Sequence, residues 1–243
     1  MPTHKTVQKQ NPLSPGQMKD LSTTVVGSIP NDYPYDYAQY WAGKKGKLQK
    51  RIREVLLEPF SQDVEPIIQE WERFYLKWFG METDFSSLII PEIHEDIIRP
   101  ILIAPGVSEN LCVKQMRARE IKVSLYRDDL TMKHNDRTAE NGPYAIRVRD
   151  VREADETLKN LSAIQLKEKN ISGETLLERL IHGMKFFDET GLWLDEKNWT
   201  LCCGSRNPDG AVPGVRLGGG GVRVDYCSTD NAYDGLRARE VVS

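Results

Sequence analysis

Apolar residues recur at three- and four-residue steps over residues 44–79, a spacing that predicts helices. Leu48, Ile52, Val55 and Leu56 mark a first stripe, and Pro59 interrupts it. Val64, Ile67, Ile68, Trp71, Phe74, Tyr75 and Trp78 mark a second, stronger stripe that ends at a capping glycine, Gly80. Aromatics at helical spacing are core packing more often than a partner-binding face, so this helix is expected to pack on the domain or on its own hairpin partner. The basic cluster of Lys44, Lys45, Lys47, Lys50, Arg51 and Arg53 reads as a solvated face. Two short apolar runs follow at 88–90 and 101–104, and Pro91, Pro100 and Pro105 confine them to strand edges or extended connections. Ser108 is a candidate N-cap for a helix reaching Arg119. Residues 121–126 alternate like a half-buried strand, 131–141 read as loop, and 144–150 alternate most clearly. A helix over 153–161 is expected next. The run Ser172-Gly173-Glu174-Thr175 then opens a helix whose buried stripe is Leu176, Leu177, Leu180, Ile181, Met184 and Phe187, with Gly191 beyond its end.

After Trp199 the pattern shortens to strands at 199–203, 212–217 and 222–226, with a last one at 238–242. The predicted class is α+β, with two main helices and a small, mostly antiparallel sheet in one domain over residues 85–243. Ahead of it stand a helical segment at 44–84 and a flexible arm at 1–43 that lacks periodicity. Within the arm, Tyr33-Pro34-Tyr35-Asp36-Tyr37 with Tyr40 and Trp41 is expected to dock on the protein's own core.

A chain of 243 residues that is 39% apolar and 28% charged suits a globular domain with polar extensions. The formal net charge of -3 argues against a general binder of nucleic acid or anionic membranes. No apolar run reaches the length of a membrane span, and the N-terminus lacks the apolar core of a signal peptide. No membrane insertion and residence in the cytoplasm are therefore expected.

Four cysteines, Cys112, Cys202, Cys203 and Cys227, form no CxxC pair, and the histidines are scattered. No side-chain metal site and no cofactor are expected. His182 lies one step from the apolar stripe of its helix, where a structural histidine is the ordinary reading. The sharper reading pairs it as a base with Cys202 or Cys203. Gly218-Gly219-Gly220-Gly221 lacks the helix that must follow a phosphate loop, so it reads as a hairpin loop. Asp225, Asp230, Asn231 and Asp234 offer oxygens for calcium, but not at EF-hand spacing; solvated loop carboxylates are favoured.

The tail uses a different alphabet from the rest of the chain. Over residues 204–236 there is no Lys, Glu, Gln, Met, Trp, His, Ile or Phe. Eight of the 18 glycines fall after Trp199. Tyr, Ser, Gly and Asn are the letters of adaptable binding surfaces. The segment Trp199-Thr200-Leu201-Cys202-Cys203-Gly204-Ser205-Arg206, the paired strands, the polar patch and Leu236-Arg237-Ala238-Arg239-Glu240-Val241-Val242 resemble a family of uncharacterised bacterial proteins. They also resemble the end of C-type-lectin-like domains of the formylglycine-generating-enzyme type. Residues 144–161 are similar to a strand and helix of that fold, so the resemblance covers about the last hundred residues. Two departures stand out: Arg206 replaces a Trp, and Leu236-Arg237 replaces Gly-Phe.

Within that fold the alphabet matches the variable proteins of diversity-generating retroelements, which mutagenise adenines in C-terminal codons. An AAY codon altered at its adenines never yields Lys, Glu, Gln, Met or Trp, and none occurs over residues 204–236. The resemblance implies a non-catalytic protein that binds a macromolecular ligand, itself a protein and not a nucleic acid. Its candidate contacts are Arg206, Arg216, Asp225, Cys227, Ser228, Asp230, Asn231, Tyr233 and Asp234. Val212, Val215, Val222 and Val224 are expected to be scaffold, and the N-terminal helices to mediate homo-oligomer formation. The alternative it allows is a thiol-dependent enzyme using Cys202 or Cys203, with copper.

Overall fold

The computed structural model describes residues 64–243, 35–57 and five isolated positions, 19, 22, 23, 25 and 26. The arm expected at 1–43 falls largely outside the described residues, as does the break expected at Pro59. The chain divides into two compact units, Met1–Gln62 and Asp63–Ser243. The first holds helices α1 (Tyr35–Ala42) and α2 (Lys45–Leu57). The end of the arm is thus helical, since no Pro or Gly interrupts Tyr35–Ala42. A turn at Gly43 and Lys44 closes α1, and the Lys44 ammonium lies 4.1 Å from the centroid of the Tyr40 ring. Tyr35 and Tyr40 are exposed. Lys44, Lys45, Lys47 and Lys50 face solvent.

The second unit begins with α3 (Val64–Phe79), so this helix belongs to the larger unit. The reason is its aromatic stripe: Trp71, Phe74, Tyr75 and Trp78 are buried. The Tyr75 hydroxyl donates to the Leu102 carbonyl at 2.7 Å and accepts the Ala104 N–H at 3.2 Å. Trp78 Nε1 donates to Asp188 at 2.8 Å. A buried aromatic with its polar tip satisfied is a fixed core member.

The remaining elements are β1 (Arg99–Ile103), α4 (Glu109–Arg117), β2 (Val123–Leu125), β3 (His134–Asn135), β4 (Tyr144–Val148), α5 (Ala163–Glu168) and α6 (Leu176–Thr190). The tail supplies β5 (Trp199–Leu201), β6 (Ser205–Arg206), β7 (Val212–Gly218), β8 (Gly221–Cys227) and β9 (Leu236–Arg237). The class is mixed α+β. The central sheet runs β2-β8-β7-β5-β9, and two small antiparallel pairs, β1-β4 and β3-β6, stand outside it. The inner pairings of the central sheet are antiparallel and the outer two are parallel, so where a mostly antiparallel sheet is expected a mainly antiparallel, mixed one is found.

Local signals start and stop the helices. Ser108 caps α4 by accepting the Leu111 N–H. Thr175 and Glu178 form a reciprocal capping box on α6, and Gly191 ends it at φ 71°. The helix expected over 153–161 is absent, leaving one 3-10 turn, Glu156–Leu158. Its carboxylates serve distant backbone instead. Glu153 accepts the N–H groups of Glu196, Lys197 and Asn198, and Asp155 accepts that of Glu240. The strand expected at 238–242 is replaced by β9 and single bridges, Gly173 to Glu240 and Arg147 to Val242. The loop expected at 131–141 holds the short β3.

The main core gathers α3, α4, α6, β1 and the inner face of the sheet, including Met116, Ile181, Met184, Val215, Val222 and Val224. A smaller core of Leu158, Leu166, Leu201, Val212, Leu236 and Ala238 covers part of the outer face. No helix among the described residues is long and apolar enough to cross a membrane.

Candidate recognition face

β7 and β8 form a hairpin closed by the glycine run. Gly219 (φ 60°) and Gly220 (φ 79°) take the left-handed geometry that a tight hairpin turn needs. The register sets Val215 opposite Val224 and Leu217 opposite Val222. It also sets Arg216 opposite Arg223, Gly214 opposite Asp225 and Val212 opposite Cys227. Side chains alternate along a strand, so the first set faces the main core and the second the outer side. On β5, Thr200 pairs with Val215, which turns the neighbouring Trp199 outward beside Arg216.

The indole of Trp199 is the floor of this face. The guanidinium carbons of Arg216 and Arg223 lie 5.4 Å and 5.7 Å from its ring centroid, within cation–π range. A Cβ at Gly214 would sit 3.4 Å from Trp199 Cε3, so the glycine leaves the indole its place. Arg223 pairs with Asp225 at 3.0 Å. Arg216 instead donates from Nε to its neighbour's carbonyl, Leu217 O, at 3.0 Å. Ser124, Tyr126, Trp199, Arg216, Gly219 and Arg223 line an open cavity of about 480 Å³.

The loop after β8 borders this face. Tyr233 is 44% exposed, and burial is the main cause that pushes its phenol pKa up, with Cys227, Arg216 and Asp225 as its titratable neighbours. Arg216, Asp225, Cys227 and Tyr233 are thus brought together. Ser228, Asp230, Asn231 and Asp234 are exposed on the adjoining loop. The carboxylates there have separate partners: Asp225 meets Arg223, Asp230 takes the Ser228 hydroxyl, and Asp234 faces Lys159 at 3.6 Å. They do not converge on one point, so the calcium reading gains nothing from the geometry.

Arg206 is set apart. On β6 its guanidinium donates to the carbonyls of Cys203 (2.9 Å) and Ser205 (2.7 Å). It lines a different cavity, of about 430 Å³, with His134, Asp136, Lys167 and Cys203. Sequence reasoning missed Trp199 and Arg223 as members of the outer face. The alternation Val222-Arg223-Val224-Asp225 already carried the signal for Arg223, because residues two apart share a face.

The thiols are not poised for catalysis. Burial pushes the Cys202 thiol well above its usual range, and the Cys203 and Cys227 thiols up to about 11. An activated thiol needs the opposite shift. His182 is buried with Nδ1 2.8 Å from Glu174 Oε1, and no hydrogen bond joins it to either thiol. It belongs to a polar core in which Asp195 binds both Arg179 (2.7 Å) and Arg239 (2.8 Å) and accepts the Thr200 hydroxyl. That network fixes α6, β5 and the C-terminal segment behind the outer face. No protein-family model, no curated protein and no solved structure matches this chain.

Proposed function

We propose that this is a non-catalytic recognition protein with a C-type-lectin-like scaffold, whose outer sheet face and adjoining loop bind another protein. In the same reading it is a variable protein of a diversity-generating retroelement, resident in the cytoplasm, with residues 204–236 as the diversifiable surface. One observation carries this: a single hairpin divides its labour by parity. Val215, Val222 and Val224 are buried, while Arg216, Arg223, Asp225 and Cys227 face outward or lie at the rim. Side chains on the outer set can change while the core keeps the backbone. Trp199 precedes the diversifiable stretch and is a residue that adenine mutagenesis of AAY codons does not make. It serves as a constant floor for changing neighbours. Trp, Tyr and Arg are also the residues that dominate protein–protein binding energy. The N-terminal helices join copies, and several such faces presented together gain avidity.

The deciding measurement is the DNA sequence flanking the gene. A near-copy of the segment encoding residues 204–236, differing only at adenines and lying beside a reverse transcriptase gene, is the expected result. Its absence would remove the retroelement reading.

A further inference from the structure

We infer that the cavity beside Trp199 receives a carboxylate, an Asp or Glu side chain on an acidic segment of the protein ligand, with Arg216 as the receiving cation. This rests on the recognition reading above and gives the chemistry of its ligand. Arg216 is the only arginine of this face held without an acid: among the described residues no Asp or Glu lies within ion-pair distance of it, whereas Arg223 has Asp225. Its Nε is tied to Leu217 O and its plane lies near the indole, so the terminal Nη groups are the ones left to bind. A guanidinium held this way loses little entropy when it forms a two-pronged bond to a carboxylate.

The walls fit the same guest. No Asp or Glu lines the cavity, and the hydroxyl-bearing Ser124 and Tyr126 stand beside Arg216. Leu125 and Trp199 offer apolar surface to the methylene stem of an acidic side chain. Lys122 does not line the cavity; its ammonium donates to Gly219 O at 2.9 Å. Of the two cations that line the cavity, Arg223 is paired with Asp225, so one unpaired cation there balances one negative charge, which favours a carboxylate over a phosphate dianion. A polyanion such as nucleic acid is disfavoured, since Asp225, Asp230 and Asp234 flank the face and the chain is -3 overall.

The test uses the full chain and NMR titration of the Arg216 Nε–H and Trp199 indole N–H resonances. The probes are an acetylated, amidated Ser-Gly-Glu-Gly-Glu-Gly-Ser peptide, its Gln counterpart and inorganic phosphate. Saturable shifts with the Glu peptide, at least about tenfold weaker with the Gln peptide and with phosphate, are expected. Arg216→Gln should weaken the Glu peptide about tenfold or more, and Arg216→Lys by less, because it keeps charge but loses the fork. Lys169→Gln, on an exposed residue away from the cavity, should change nothing. Equal response to the Glu and Gln peptides, undiminished binding by a folded Arg216→Gln protein, or tighter phosphate binding would each overturn the inference. Such a failure beside an intact adenine-variant copy of the tail sinks only the carboxylate assignment. Loss of that copy with Glu binding preserved sinks only the retroelement reading.

Discussion

Val224 and Tyr233 lie close in sequence and answer to opposite surroundings. Val224 is fully buried on β8 in the core that holds Val215 and Met116. Tyr233 stands at the rim of the outer face with its ring against Gly235. Val224→Ala should cost about 1–3 kcal/mol through lost apolar burial. Tyr233→Ala should stay within about 0.5 kcal/mol, as exposed changes usually do. Urea unfolding midpoints of the two variants check this, and equal losses would mean that Tyr233 is scaffold and not binding surface. The parity of these positions is legible in the sequence from Val222-Arg223-Val224-Asp225. The stacking of Arg216 and Arg223 on Trp199 is not, because it depends on which strand pairs with β7.

The element that holds the outer face in place is β2, three residues long and parallel to β8. It approaches β8 so closely that a Cβ at Gly221 would lie 2.1 Å from Lys122 O, the acceptor of the Val222 N–H. Gly221→Ala should therefore push β2 off the sheet and cost about 1–3 kcal/mol. Hydrogen exchange should show β2 and β8 losing protection ahead of β5 and β9. Uniform loss across the sheet would show that β2 is not a separable edge. The capping signals of α4 and α6 were legible because they are local: a hydroxyl and a carboxylate placed at helix ends. The segment 153–161 carried an equally helical composition, yet Glu153 and Asp155 are spent on backbone from residues 196–198 and 240. Nothing within that segment announces those distant partners.

At the scale of the whole molecule, the polar core ties the helices to the sheet and makes stability depend on pH. Burial pushes the Glu174 carboxyl up to about 7 from its usual 4.5. The folded state then holds this proton more tightly than the unfolded chain, so the stabilisation is complete below about pH 4.5 and is lost as pH rises to about 7. His182 acts in the reverse sense. Burial holds its imidazole well below the usual 6.5, so its contribution is present above that pH and lost as pH falls. Glu174→Gln removes the first effect and leaves a neutral amide beside His182. Relative to this variant, the wild-type protein should lose on the order of 3 kcal/mol as pH rises from about 4.5 to about 7. Parallel stability profiles for the two proteins would reject the raised Glu174 pKa.

By itself the sequence determined what depends on neighbours a few residues away. These are the apolar stripes of α3 and α6, the caps at Ser108, Thr175 and Gly191, the strand alternation of the tail and the glycine turn at 218–221. Each follows from the period of the backbone and from turn chemistry. Only the tertiary structure decided what depends on register and pairing. It made α3 part of the larger unit, set β2 and β9 parallel to their neighbours, and tied His182 to Glu174. It also laid Trp199 under two arginines and carried Arg206 to another cavity. Those outcomes join residues far apart along the chain, and packing selects among them where local preference does not.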